Sequence, residues 1–352
     1  MRCYNRQHRH YCGVDLHVKT RYVCILAPTG QVLVHRHMKS TPEALLETMA
    51  PYRDDLVVAA ECMVTWYWLA DLCAAPDITF VLGHALAMKA IHGGNAKNDT
   101  IDSQKIAALR RGGLLPQAYV YPAAMRATRD LLRRRLHFVR KRGELSGHIQ
   151  NTRAQDSRPA FARRLAYPAK REGVSDHFPD PSGRKSIDVD LALLERYDDL
   201  ITDLELTIVR AAKRPDGDAV HRLRSVPGIG QVLALTILSE IHDISRCDRV
   251  QACASSARLV KCAHPSAGKT LGSGGAKMGH VHLTWAFSAA AVLFRRHAPG
   301  GKKLLAEIEK KHGKGKACRA ARCSRWRSVA PCSGEESGRA RRLTRASRDR
   351  AR

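Results

Sequence analysis

The feature that most constrains this chain is a change of period within its first 110 residues, where two-residue alternation gives way to helical spacing. Residues 11–17 form a short β-like run that carries Asp15. Residues 21–27 are rich in Val, Ile and Tyr, and residues 31–37 alternate Val and Leu with polar side chains. Pro28-Thr29-Gly30 separates the last two runs and reads as a turn. Three consecutive antiparallel strands are therefore expected. Residues 56–60 and 78–82 are instead continuously apolar, as in strands buried on both faces. Between and after them lie helical stretches. Thr41-Pro42 fits an N-cap followed by proline in the first turn, with Leu45, Leu46 and Met49 as the apolar face. Residues 66–73, 85–91 and 99–110 complete the set.

The order is β-β-β-α-β-α-β-α, that of an α/β ribonuclease-H-like (RuvC-like) domain over residues 1–122. The rest reads as mostly α. Residues 123–215 form a basic helical, coiled-coil-like connector, with a Pro/Gly-rich linker at 158–185 and an amphipathic stretch at 189–212. Residues 216–317 form a C-terminal domain. Within it, Val226-Pro227-Gly228-Ile229-Gly230 precedes an apolar helix at 232–241, a helix-hairpin-helix-like segment whose backbone N–H groups suit a DNA phosphate. A plain tight turn explains the two glycines about as well. Long helices join the domains.

Charge narrows the partner. The chain holds 60 Lys and Arg against 33 Asp and Glu, a net +27. Such an excess points to a polyanion, because each cation set on a phosphate releases counterions. The density is highest at 125–149, where Arg126, Arg129, Arg133, Arg134, Arg135, Arg140, Lys141 and Arg142 surround Leu131, Leu132, Leu136 and Val139. Phosphate contact is expected there in preference to a merely solvated face. The longest apolar run, near 283–294, is too short to span a bilayer, and no secretory leader is seen, so a cytoplasmic location is expected. The 11 cysteines include no CxxC pair and read as reduced, which argues against zinc.

Four carboxylates stand out by position. Asp15 lies in the first strand, Glu61 ends the first buried strand, and Asp99 and Asp102 share a face at the start of a helix. Each alone has an ordinary alternative, such as a turn or helix cap. Together they would converge in the expected fold and repel one another unless a cation neutralised them. Oxygen ligands favour Mg²⁺ or Mn²⁺, and such ions serve phosphodiester cleavage. Farther on, residues 261–283 are rich in Gly, Ser and Lys and read as a loop between helices, with Ser266 and Ser273 as candidate nucleophiles and Lys269 and Lys277 beside them.

Gly13-Val14-Asp15, Ala60-Glu61, Lys97-Asn98-Asp99-Thr100-Ile101-Asp102, the Val226–Gly230 turn, Ser266-Ala267-Gly268-Lys269 and Lys277-Met278-Gly279 together resemble the DEDD transposases of bacterial insertion sequences. The resemblance covers about residues 11–317. It implies that Asp15, Glu61, Asp99 and Asp102 form a metal-binding tetrad. It implies that Ser266, ahead of Ser273, links covalently to DNA during strand exchange. It also implies DNA as substrate, homo-oligomers and, for some members, a guide RNA from the same element. The chain departs from the family at His280, where asparagine is usual, and at His264-Pro265. Residues 319–352 hold 11 Arg and no Lys in place of an apolar helix. They read as an out-of-frame tail or a disordered basic arm. Two alternatives remain beside the transposase: a site-specific DNA invertase built on the same parts, and an inactive nucleic-acid-binding remnant.

Overall fold

The computed structural model describes residues 3–63, 65–92, 99–155, 159, 161, 165–211, 217–246, 250–259, 262–266, 269–274, 279–297 and short helical pieces within 302–310. At 92, 99–100, 245, 250, 262–266, 269–274 and 297 the description is of backbone alone. The expectation for residues 319–352 lies outside the described residues. The chain divides into two compact units, Met1–Ala124 and Met125–Arg352.

The first unit is a five-stranded mixed sheet flanked by helices. Its strands are β1 (His10–Leu16), β2 (Thr20–Leu26), β3 (Val32–Lys39), β4 (Leu56–Glu61) and β5 (Thr79–Gly83), in the order β3-β2-β1-β4-β5. β1 pairs antiparallel with β2 and parallel with β4, and β4 pairs parallel with β5. This is consistent with the ribonuclease-H-like arrangement expected from the element order. The helices are α1 (Pro42–Met49), α2 (Trp66–Ala74), α3 (Ala85–His92) and α4 (Asp99–Arg111). Thr41 caps α1 through its hydroxyl, which accepts from Ala44 N–H.

Period-two alternation divides the sheet's side chains between two cores. Cys12, Val14, Val23, Ile25, Val58, Ala60 and Leu82 pack with Leu45, Met49, Trp66 and Leu69 of α1 and α2. Tyr11, Cys24, Val57, Ala59 and Val81 face the other way and pack with Met88, Ile106, Ala107 and Leu109 of α3 and α4. Burial pushes the thiols of Cys24 and Cys73 up to about 11 and about 12, so these core cysteines are inert thiols, as expected. Cys253 differs from that expectation, because it is disulfide-bonded.

The second unit is helical, with one hairpin. It comprises α5 (Ala123–Gln155), which begins at the unit boundary, α6 (Pro181–Ala211), α7 (Gly217–Arg224), α8 (Gln231–Ile241), α9 (Val250–Ser256) and α10 (Val281–His297), plus strands β6 (Cys262–Ser266) and β7 (Lys269–Gly274). The stretch expected to be a linker is partly tied down. Leu165, Val174 and Phe178 are buried with Ile149 of α5 and Ile187 and Leu194 of α6. Buried Arg171 donates to Leu165 C=O (2.8 Å) and Asp198 (2.5 Å), and α6 starts at Pro181, earlier than its apolar period announces. Between α7 and α8, Gly228 has φ +92°, and an added Cβ would lie 2.6 Å from Ala290 O and 2.7 Å from Phe294 N. Close approach to α10 therefore demands glycine at this position. Among the described residues no helix is long and apolar enough to cross a membrane.

Candidate functional site

The N-terminal candidate site is built by register. Val14 of β1 pairs with Ala60 of β4 in parallel, so the next residues, Asp15 and Glu61, stand side by side at the C-terminal ends of adjacent strands. By alternation both occupy the face that α4 covers, because Tyr11 and Ala59 lie in the α4 core. The helix crosses β1 very closely: a Cβ on Gly13 would lie 2.2 Å from Ser103 O and 2.5 Å from Ala107 N. Farther along α4, the Arg110 guanidinium sits 4.3 Å from the Tyr4 ring and 5.7 Å from the Tyr11 ring. The helix thus runs against β1, and its first turns point toward the Asp15 end of the strand.

Asp15 is buried (9% exposed), and Glu61 and Asp102 are half-buried. His17 Nε2 lies 3.3 Å from Asp15 Oδ2, and Lys105 Nζ lies 3.3 Å from Asp102 Oδ1. Asp99 is the first residue of α4, and its side chain lies outside the described residues. Among the described residues no three His, Cys, Asp or Glu side chains are grouped to hold a metal ion. The donor set is nevertheless all oxygen, on a buried sheet end where like charges cost free energy unless a cation joins them.

The serine segment is a hairpin where a loop was expected. β6 and β7 are antiparallel, with Ser266 paired to Lys269 next to the turn and Ala263 paired to Ser273 two pairs farther down. The side chains of Ser266, Lys269 and Ser273 lie outside the described residues, as does all of Lys277. The strand period is hard to see in a run so rich in glycine, lysine and serine.

A transposase family model of the DEDD type matches residues 12–152, and a second, the transposase IS116/IS110/IS902 family, matches residues 220–306. The chain belongs to the IS110 family of insertion-sequence transposases. No curated protein matches it. The two matched stretches contain the four acidic candidates and the serine hairpin respectively. Transposition of an insertion sequence, with DNA as substrate, is what membership in the IS110 family carries.

In this IS110 transposase the basic helix α5 spends much of its charge internally, against the expectation of phosphate contact along its length. Glu240 of α8 is 2% exposed. It accepts from Arg129 Nε (3.0 Å) and from Arg133 Nε (2.8 Å) and NH2 (3.0 Å). Arg135 donates to Glu205 (2.8 and 2.5 Å), and Arg142 donates to Asp198 (2.6 Å), both acceptors on α6. Burial alone would raise the Glu240 pKa. The nearby His280 ring, the hydrogen bonds from Arg133 and the charges of Arg129 and Arg133 more than offset it, so the group stays far below the usual carboxylate range. Sequence reasoning passed over Glu240. The available signal was one charged residue in the otherwise uncharged run 232–241, which must find a partner once buried.

Proposed function

We propose that this transposase cuts and rejoins DNA with two sets of groups, the carboxylates of Asp15, Glu61, Asp99 and Asp102 and the hydroxyl of Ser266. The observation that carries the reading is the parallel register Val14–Ala60, with α4 antiparallel above it, an arrangement that would let acidic residues of three elements share one sheet end. The carboxylates would hold Mg²⁺ or Mn²⁺, which when bound polarises phosphodiester oxygens and lowers the pKa of attacking groups. The protein's own part is to hold the acidic oxygens fixed and to keep Lys105 and His17 beside them as proton and charge partners. Ser266 Oγ would attack the phosphorus of a DNA phosphodiester. A bond forms between serine oxygen and phosphorus, the bond to the leaving deoxyribose oxygen breaks, and the serine proton passes by way of a base to that oxygen, which departs as the free hydroxyl of the cut strand. Rejoining reverses these steps with another strand's hydroxyl. The Val226–Gly230 turn is read as a backbone contact to phosphate. A homo-oligomer and a guide RNA belong to the same proposal.

The test is a covalent-adduct assay with purified protein, Mg²⁺, DNA bearing the element's ends and the element's non-coding transcript. Asp15→Ala and Ser266→Ala should each abolish adducts while DNA binding stays within about threefold. Adducts that persist in Asp15→Ala would remove the carboxylates from the chemistry. Adducts lost in Ser273→Ala but not in Ser266→Ala would move the nucleophile to Ser273. DNA binding without adducts in the unaltered chain would favour the inactive remnant.

A further inference from the structure

The described residues that flank the β6–β7 hairpin are fastened to one another. On the two sides of the hairpin the described helical residues end at buried Leu259, just past α9, and resume at Gly279. Gly279 has φ +115°, and an added Cβ would lie 2.5 Å from Ser256 O at the end of α9. His280 N–H donates to Ser256 C=O (2.8 Å), and the Thr284 hydroxyl donates to Ala257 C=O (2.8 Å). On this C-terminal flank His280 meets the buried carboxylate: its Nδ1 lies 3.6 Å from Glu240 Oε2. One side chain thereby joins the basic helix α5, through Arg129 and Arg133, the helix α8, and His280 on the C-terminal flank of the hairpin.

Stability alone is a poor reason for this arrangement. Desolvating a carboxylate with two guanidinium partners is costly, and apolar side chains of like volume do as well or better. What such a cluster supplies is a fixed geometry, since its forked donors accept the carboxylate in few orientations. The element whose geometry needs fixing is the one that carries the nucleophile. Displacing a reacting group by about 1 Å costs on the order of a hundredfold in rate.

We propose that Glu240 and His280 are positioning residues that lock the base of the Ser266 hairpin to α5 and α8, so that the serine is held ready for attack on DNA. The proposal rests on the reading of Ser266 as nucleophile. Glu240 acts through His280 Nδ1, and this atom makes the test specific. Asparagine places its amide nitrogen near the Nδ1 position, whereas glutamine places it near Nε2.

The experiment compares His280→Asn, His280→Gln, His280→Ala and Ser266→Ala in the full chain, with the same DNA, transcript and Mg²⁺. It reads adduct formation rate, DNA affinity and thermal midpoint. His280→Ala and His280→Gln should lose at least tenfold in adduct rate, with DNA affinity within about twofold and the midpoint nearly unmoved. His280→Asn should stay within about threefold of the unaltered chain. A structural contact would move the midpoint, and it would not separate Asn from Gln by rate. Where the alanine variant does not fold, the Asn and Gln pair carries the comparison. Equal rates for Asn and Gln, or an unchanged rate in His280→Gln, overturn the positioning role while Ser266→Ala still abolishes adducts. Adducts that survive Ser266→Ala overturn the nucleophile reading, and the positioning proposal falls with it.

Discussion

Asp15 and Glu61 directly follow the register partners Val14 and Ala60, so two acidic residues 46 positions apart in sequence end neighbouring parallel strands on the face that α4 covers. If this juxtaposition serves metal-dependent cleavage, neutral isosteres retain the fold and lose the charge. Asp15→Asn and Glu61→Gln should each lower cleavage at least about a hundredfold, roughly 2.7 kcal/mol in activation free energy. DNA affinity should change little. A cleavage time course over a Mg²⁺ titration checks this, and a variant rate within threefold of the parent counts against the site.

Gly13 is the residue that lets α4 approach. In Gly13→Ala the new methyl meets the Ser103 carbonyl and the Ala107 amide, both backbone. The helix must shift, at about 1–3 kcal/mol. On the proposed reading of the site, the shift would also displace Asp102 relative to Asp15. The expected result is a lower urea midpoint together with a loss of cleavage larger than the loss of folded protein, read by circular dichroism and cleavage on the same samples.

Glu240→Ala strands Arg129 and Arg133, buried or half-buried, without their carboxylate. The cost should be about 3–5 kcal/mol. Asp54, which pairs with Arg9 at an exposed site, gives the contrast: Asp54→Ala should cost less than about 1 kcal/mol. Urea denaturation of both variants decides. Equal small losses would show that the Glu240 cluster is no more than a surface pair.

Stability should fall as the solution is acidified, in two stages. Burial, together with the charges of Arg133, Arg140 and Arg129, lowers His282 from 6.5 to about 4, against the opposing effect of Glu240. The unfolded chain therefore takes up the proton first, and stability contributed by neutral His282 is present above about 6.5 and lost as pH falls toward 4. Glu240, held far below its usual 4.5, adds a second loss below that value. Denaturant midpoints from pH 7 to pH 4 should decline, and His282→Gln should flatten the upper part of the decline. A midpoint that rises on acidification contradicts both assignments.

The arginines of α5 should divide into two classes in DNA binding. Arg135 is committed to Glu205, so Arg135→Ala should weaken folding and leave the salt dependence of binding unchanged. Arg140 is exposed, and Arg140→Ala should reduce the slope of log affinity against log salt by about 0.9 if it meets one phosphate. Fluorescence anisotropy at several salt concentrations separates the two.

Much of the first unit was legible in the sequence. The order of elements along the chain, the capped helix at Thr41 and the element on which each acidic residue sits follow from periodicity and turn chemistry, because those signals are local: a two- or 3.6-residue period states which side of an element is buried. The serine hairpin was less legible, since glycine and serine dilute the strand period of residues 262–274. The stretch before α6 read as a linker because its fastening is made by one arginine, Arg171, to a carboxylate on a distant helix turn.

The sequence by itself determined that the chain carries a large positive excess, that its first unit alternates strands and helices, and that four carboxylates fall at element ends. Only the tertiary structure decided how charges are paired. Arg129 and Glu240 stand 111 positions apart, as local a contact in space as any helix neighbour and invisible to any window of sequence. A period reveals that a face is covered; which remote element covers it depends on packing the whole unit at once, since burial free energy is summed over surfaces and not along the chain.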